Sequence, residues 1–404
     1  MVQQSDSLDG IFTRALTSRR LFKNHDALRS DYIPENLPFR SQQLNSIAEI
    51  LAPLLHSTKP SNILIYGKTG TGKTAATKYV LNKLSQTCTT KHIPAKFIYA
   101  NIRNAGTEYR ALAELATGIG LNVPFTGLAV SEVLTRIQKH MKTNSLHTVV
   151  VLDEIDYLVK SFGDDILYDL TNSATSITPG FLSLLGISND LQFKELLGAR
   201  VLSRLSEEEI VFPPYSAIEL KTILQQRAQT AFNPGSFSEA AVNLCAALSG
   251  SEHGDARRAV DLLRIAGEVA ERDGAQQLDE RHVRIAVQKI DQDRITDALR
   301  TLPLQAKLVL IAALKTAITN DAKAYSGSIY DQYSHLCAAT SVEPLTTRRV
   351  SGLISELDTL GLLSAAIVNY GRYGRTKKIT PQISITTLQQ AFKSDELLNQ
   401  LVAG

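Results

Sequence analysis

Residues 62–77, NILIYGKTGTGKTAAT, place three glycines and a Lys-Thr pair directly behind a short apolar run. Gly67, Gly70 and Gly72 let the backbone curl so that successive N–H groups converge on one point, where the following helix also presents its positive end. Phosphate oxygens suit that point. Lys73 adds a point charge for β- and γ-phosphates, and the Thr74 hydroxyl suits Mg2+. The G-x-x-x-x-G-K-T spacing makes Gly67, Lys68, Thr69, Gly70, Thr71, Gly72, Lys73 and Thr74 the candidate phosphate cradle, with Ala75 and Ala76 opening the helix behind it.

A pair of acids comes next. Asp153 and Glu154 directly follow the apolar run HTVVVL at 147–152, and strand ends of this kind are where open α/β sheets bind ligands. Asp153 suits Mg2+ through water, and Glu154 suits the orientation of an attacking water. Strands often end in acids, so the pair gains weight only from standing 80 residues after Lys73. Asn189 ends a further run, LSLLGIS at 182–188; it could hold the same water or the γ-phosphate, or simply close a turn. On the short helical stretch 198–205, Arg200 and Arg204 each fit either a finger reaching a neighbouring subunit's phosphate or a solvated helix face. The segment 254–258, GDARR, opens a later helix. A cation at a helix start opposes the dipole, a placement that often reflects an anionic ligand.

These residues need a scaffold. Apolar runs near 62–66, 96–100, 147–152 and 182–188 alternate with helical stripes at 41–55, 74–84, 107–117 and 130–142, which predicts a doubly wound parallel α/β sheet. From residue 213 onward the pattern is helical only, at about 213–228, 237–249, 254–273 and 279–290. Three domains result: a nucleotide-binding base at 1–212, a helical lid at 213–291 and a last domain at 292–404, in keeping with 404 residues. Residues 30–40 carry two prolines and no helical period, and read as an ordered lead-in or a linker.

With 44% hydrophobic and 21% charged residues the composition is that of an ordinary globular protein. The first ten residues lack a signal pattern and the longest apolar run, 308–314, is too short to cross a bilayer. A cytoplasmic location is expected. Cys88, Cys245 and Cys337 are isolated, so neither a disulfide framework nor a zinc site is expected.

Net charge is +3, and residues 1–291 are balanced at 31 basic and 31 acidic, leaving the whole excess in 292–404. No acid occurs between 359 and 393, where Arg372, Arg375, Lys377, Lys378 and Lys393 stand. That is a footprint for a polyanion. Helical stripes at 303–318, 327–339 and 346–360, followed by strands at 363–368 and 375–379, predict a winged helix. Its third helix opens with Thr347, Arg348 and Arg349, where helix-turn-helix modules enter the major groove. Arg372, Tyr373, Arg375, Lys377 and Lys378 lie on the hairpin, suited to the adjacent backbone or minor groove. Such modules also bind proteins.

Taken together, the chain resembles archaeal replication initiators of the combined origin-recognition and cell-division-cycle type, in the initiator clade of AAA+ ATPases. The resemblance covers nearly the whole chain: the phosphate loop, the acid pair with Ile155-Asp156-Tyr157-Leu158 behind it, Asn189 as first sensor and Arg257 as second. It implies a slow ATPase that holds ATP or ADP with Mg2+ and binds double-stranded origin DNA. It also implies help in recruiting the replicative helicase (MCM), possible self-assembly on DNA and a place at the nucleoid. Residues 22–40 and 212–228 are similar to stretches that close around adenine, which implicates Ile33, Arg40, Tyr215 and Arg227. Residues 162–180 fall where initiators insert a helical wedge into duplex DNA, here acidic at Asp164, Asp165 and Asp169. A clamp-loading or remodelling ATPase, and a DNA-binding regulator with ATP as a structural ligand, stand as the alternatives.

Overall fold

The computed structural model describes residues 20–403, apart from 30, 31, 35, 125, 174–176, 253, 320–323 and 370–374. Its elements are α1 (Ser41–Leu51), β1 (Ile63–Tyr66), α2 (Lys73–Thr90), β2 (Ala95–Asn101), α3 (Ile102–Ala105), α4 (Glu108–Gly118), α5 (Val130–Thr143), β3 (His147–Asp153), α6 (Ile155–Phe162), α7 (Asp165–Ser173), β4 (Phe181–Ser188), α8 (Ala199–Leu205), β5 (Glu208–Val211), α9 (Ala217–Ala231), α10 (Glu239–Glu252), α11 (Ala256–Arg272) and α12 (Glu280–Thr301). Then come α13 (Leu304–Thr319), β6 (Ala324–Tyr325), α14 (Ser326–Ala339), α15 (Thr347–Thr359), β7 (Leu363–Asn369), β8 (Arg375–Pro381), α16 (Ile385–Ala391) and α17 (Glu396–Ala403). Two compact units divide between Arg284 and Ile285. Helix α12 runs unbroken through that division and through 291–292. No helix among the described residues is long and apolar enough to cross a membrane.

In the first unit a parallel sheet has strand order β2-β3-β4-β1-β5. Strands β3 and β4 are buried along their whole length, which is why they read as continuous apolar runs rather than as alternation. Their side chains still divide by face. Leu64, Val150, Leu152, Leu182 and Leu184 pack with α4, α5 and α7, while Ile63, Ile65, Val149, Val151, Leu185 and Ile187 pack with α1 and α2. The order has a functional consequence: β4 separates β1 from β3, so the phosphate loop and the acid pair flank the tip of β4, where Asn189 stands.

The helical part follows β5. Helix α9 starts on a capping box, with Ser216 accepting from Glu219 N and the Glu219 carboxylate returning to Ser216 N. Residues 21 and 22 dock here: Glu271 Oε1 accepts from Leu21 N at 2.7 Å, and the Phe22 and Phe232 rings stack at 4.6 Å. Helix α7, expected as a DNA wedge, buries Ile166, Leu167 and Leu170 in the sheet's core, and Asp164 accepts from Gly198 N at the start of α8.

The second unit has its own core, from Leu308, Ile311 and Tyr333 to Val350, Ile354 and Ile379. Helices α13, α14 and α15 pack with an antiparallel sheet of order β6-β8-β7. This is the winged helix read from the pattern, extended by β6 and by α16 and α17, whose Leu388 and Leu398 complete the core.

Candidate functional site

A cavity of about 1400 Å3 opens over the carboxyl ends of the sheet strands. Thr69 to Ala75 line it from the loop, Asp153, Glu154 and Asn189 from the strand tips, and Tyr215, Arg227 and Arg257 from the helical part. Ile33 lines it from the lead-in. Segments separated by up to about half the chain thus converge on one cavity.

Loop geometry comes from glycines used for two reasons. Gly72 caps α2 at φ +93°, and a Cβ there would meet the Tyr215 hydroxyl at 2.9 Å. Backbone conformation and close approach therefore both exclude a side chain. Lys73 is 4% exposed and donates to the carbonyls of Gly67 (2.7 Å) and Lys68 (2.8 Å). Burial outweighs the nearby Asp153 and lowers its ammonium from 10.5 to about 8. The cation is at hand but poorly solvated, a state that a phosphate would relieve.

Asp153 is also 4% exposed and is fully engaged. Its Oδ2 accepts from Thr74 Oγ1 at 2.8 Å and from the Tyr99 hydroxyl, and its Oδ1 accepts from Glu154 N at 2.9 Å. Burial, and then the bond to Asp153, push the Tyr99 phenol up, so it stays a donor. A hydroxyl and a carboxylate within hydrogen-bond reach form the hard-oxygen pair that Mg2+ uses beside phosphates. Glu154 adopts the left-handed region (φ 57°, ψ 43°) at the start of α6, with Arg103 Nη1 4.0 Å from its Oε2. A non-glycine residue there costs about 1–2 kcal/mol, and the Asp153 side chain holds it. Asp156 Oδ1 accepts from Ser188 Oγ (3.1 Å) and Asn189 N (3.3 Å), which sets the β4 tip.

Some expected residues stand elsewhere. Arg40 does not line the cavity: it is 2% exposed, with Nε on the Thr71 carbonyl (2.9 Å), one Nη on the Pro213 carbonyl (2.6 Å) and the guanidinium 3.7 Å from the Tyr215 ring centroid. It braces the loop from behind, and burial lowers its pKa. Gly67 serves through its carbonyl, which accepts from Lys73, and a Cβ there would reach the Phe212 carbonyl oxygen at 2.4 Å. Lys68 faces a smaller neighbouring cavity, and Ala76 is packed in the core. Arg227 lines the cavity while donating to the carbonyls of Ala27 (3.0 Å) and Tyr32 (3.2 Å), so it anchors the lead-in. Arg200 is exposed and outside the lining. Arg204 donates to Asn172 Oδ1 at 2.9 Å and lies over the Tyr168 ring.

Sequence reasoning missed Tyr99, Asn101, Arg103 and Asp255. Asn101 pairs in register with Asp153, so the polar end of the run at 96–100 was a signal for the first three, whereas nothing near it points to Asp255.

In the second unit Thr347, Arg348 and Arg349 are exposed at the start of α15, which Thr346 caps by accepting from Arg349 N. Lys378 is exposed on β8, and Lys377 Nζ donates to Ser355 Oγ on α15 at 2.8 Å. Arg375 begins β8, while Arg372 and Tyr373 lie outside the described residues.

Comparison with known proteins agrees with this architecture. Residues 56–191 match the AAA domain family, 221–288 the Cdc6 AAA+ ATPase-type lid domain and 297–391 the CDC6 C-terminal winged helix domain. An ORC1-type DNA replication protein of Pyrococcus abyssi is 46% identical over 399 residues, 98% of this chain and 95% of that one. ORC1-type DNA replication protein 1 of Methanosarcina mazei is 44% identical over 401 residues, 99% and 97% of the two chains. Among solved structures, the Aeropyrum pernix ORC1 protein in complex with DNA superposes with a TM-score of 0.78 at 43% identity, covering 95% of this chain and 99% of that one. On identity, coverage and architecture alike, the chain belongs to the ORC1-type DNA replication proteins, with an AAA domain, a Cdc6-type lid and a C-terminal winged helix.

Proposed function

We propose that this protein is an ATP-dependent initiator that binds double-stranded origin DNA, works in the cytoplasm at the nucleoid and helps recruit the replicative helicase. The observation that carries the nucleotide half is the convergence of Lys73, the Thr74–Asp153 pair, Glu154, Asn189 and Arg257 on one cavity. The amides of residues 69–74 and the Lys73 ammonium bind the phosphates. Thr74 and Asp153 would hold Mg2+, which supplies charge neutralisation at the β- and γ-phosphates when bound. Glu154 orients the attacking water and accepts its proton, and Asn189 fixes the far side of that water. Arg257 meets developing charge from the helical part. Arg200, exposed and without the local partners that hold Arg204, is the residue suited to act in trans on a neighbouring copy.

The DNA half rests on the basic surface of the winged helix and on the relative of known structure, which is described in complex with DNA. Arg348 and Arg349 read the groove; Lys377, Lys378, Arg372, Tyr373 and Arg375 grip the backbone. The work divides among 1–212 for nucleotide, 213–291 for the lid and 292–404 for DNA.

Glu154→Gln is the test. It should bind ATP as the wild type does and lose hydrolysis by about 100-fold or more, the size of a lost general base. Equal hydrolysis by the two proteins would refute the role given to Glu154.

A further inference from the structure

Asp255 is 8% exposed and serves two segments at once. Within its own segment, Oδ1 accepts from the N–H groups of Arg257 (2.8 Å) and Arg258 (3.1 Å), capping α11. From the phosphate loop, Thr69 Oγ1 donates to Oδ2 at 3.4 Å. Beside it, Ala256 N–H donates to the Gly70 carbonyl at 3.1 Å. A Cβ on Gly70 would lie 1.6 Å from Asp255 Oδ1, so the glycine is required by the seat of this carboxylate as well as by its φ of +68°. The loop and the helix that carries Arg257 therefore meet at one side chain.

The geometry points to Asp255 as a positioning residue for nucleotide retention: it fixes the start of α11 on the phosphate loop and thereby holds Arg257 at the phosphates. The inference rests on the cavity being the nucleotide site. Asp255 does not line that cavity, as expected of an acid that would repel phosphate on contact. It acts on release through Arg257, and its contacts with Thr69 and Gly70 are what hold that arginine's helix on the loop. Nucleotide that leaves past Arg257 must first part α11 from the loop, so the exchange rate depends on this joint.

Release of fluorescent ADP and ATP analogues from the full chain, followed by stopped flow, tests the idea. Asp255→Ala should speed release about tenfold, the scale of one lost helix cap, and Asp255→Asn, which keeps an oxygen for the α11 amides, should restore most of the wild-type rate. A cycle with Arg257→Ala separates positioning from general loosening. If Asp255 acts through Arg257, the double variant releases no faster than the faster single one. Multiplying effects, or a wild-type rate in Asp255→Ala, would overturn the proposal. Should the wild type bind no analogue, the reading of the cavity fails on its own account. Amide exchange in the free protein then tests the joint directly: Asp255→Ala should raise exchange at Ala256 about tenfold and leave α9 unchanged. Unchanged protection at Ala256 would overturn it.

Discussion

Lys73 carries its charge weakly. Burial holds its ammonium near 8 rather than 10.5, and contact with phosphate favours the charged form, so binding above that pH draws in a proton. Nucleotide affinity should be level below about pH 7 and fall as pH rises through about 8, by up to tenfold per unit. A fluorescent-nucleotide titration across that range reads the slope; a level profile would show that the free protein keeps the proton. The sign for stability is the reverse. A lysine with a folded pKa below its unfolded one costs stability in full below about pH 8, and the cost is relieved as pH rises from there toward 10.5. Lys73→Ala should therefore lose nucleotide binding while the fold without nucleotide becomes no less stable at neutral pH, which thermal unfolding with and without ATP separates.

At the scale of the element, helix α8 presents two arginines with different tasks. Arg204 ties α8 to α7 through Asn172 and Tyr168, so Arg204→Ala should cost about 1 kcal/mol of stability, the net worth of an ordinary hydrogen bond. Arg200 faces solvent. Arg200→Ala should leave stability and ATP binding unchanged and lower hydrolysis only under conditions where the protein assembles, because a finger acts on a neighbour's phosphate. Turnover measured against protein concentration, with and without DNA, distinguishes the two. Weakened ATP binding by the Arg200→Ala monomer would assign Arg200 a role within its own subunit instead.

Across the whole molecule, charge is balanced up to residue 291 and basic beyond it. Side chains that touch duplex DNA should then be sorted by what they read. Changing Arg348 or Arg349, whichever reaches a base edge, should relax sequence preference at a cost of about 1–3 kcal/mol. Replacing Arg372, Arg375, Lys377 and Lys378 with alanine should weaken binding to every sequence and flatten the salt dependence by about one unit of slope for each phosphate no longer neutralised. Lys377 starts from a hydrogen bond to Ser355, so its contribution should be the smaller of the two β8 lysines. Affinities for origin and random duplexes over a salt series provide the check; an unchanged slope in the fourfold variant would take the hairpin out of the DNA interface.

The sequence specifies the phosphate loop, because a cradle of successive amides needs glycines, a lysine and a hydroxyl residue at adjacent positions of one segment. It likewise determined Asp153, Glu154 and Asn189, since a residue at the end of a buried strand is carried to the sheet edge whatever the neighbouring strands are. The winged helix was legible from three amphipathic stripes and a basic hairpin. Strand β5 was not: it is an acidic edge strand with only Ile210 buried, and edges are polar by necessity. Nor was β6, which is two residues long. Helices α16 and α17 are so short that burial against the second core, rather than periodicity, identifies them. How distant residues meet became visible in the fold alone. Strand order put Tyr99 and Asn101 beside Asp153, packing turned Arg40 away from the cavity to brace Thr71, and lid docking set Asp255 on Thr69, 186 residues away. Those partners share no local pattern, because a hydrogen bond between segments is fixed by where the sheet and the lid bring them, and no spacing in the chain encodes that meeting.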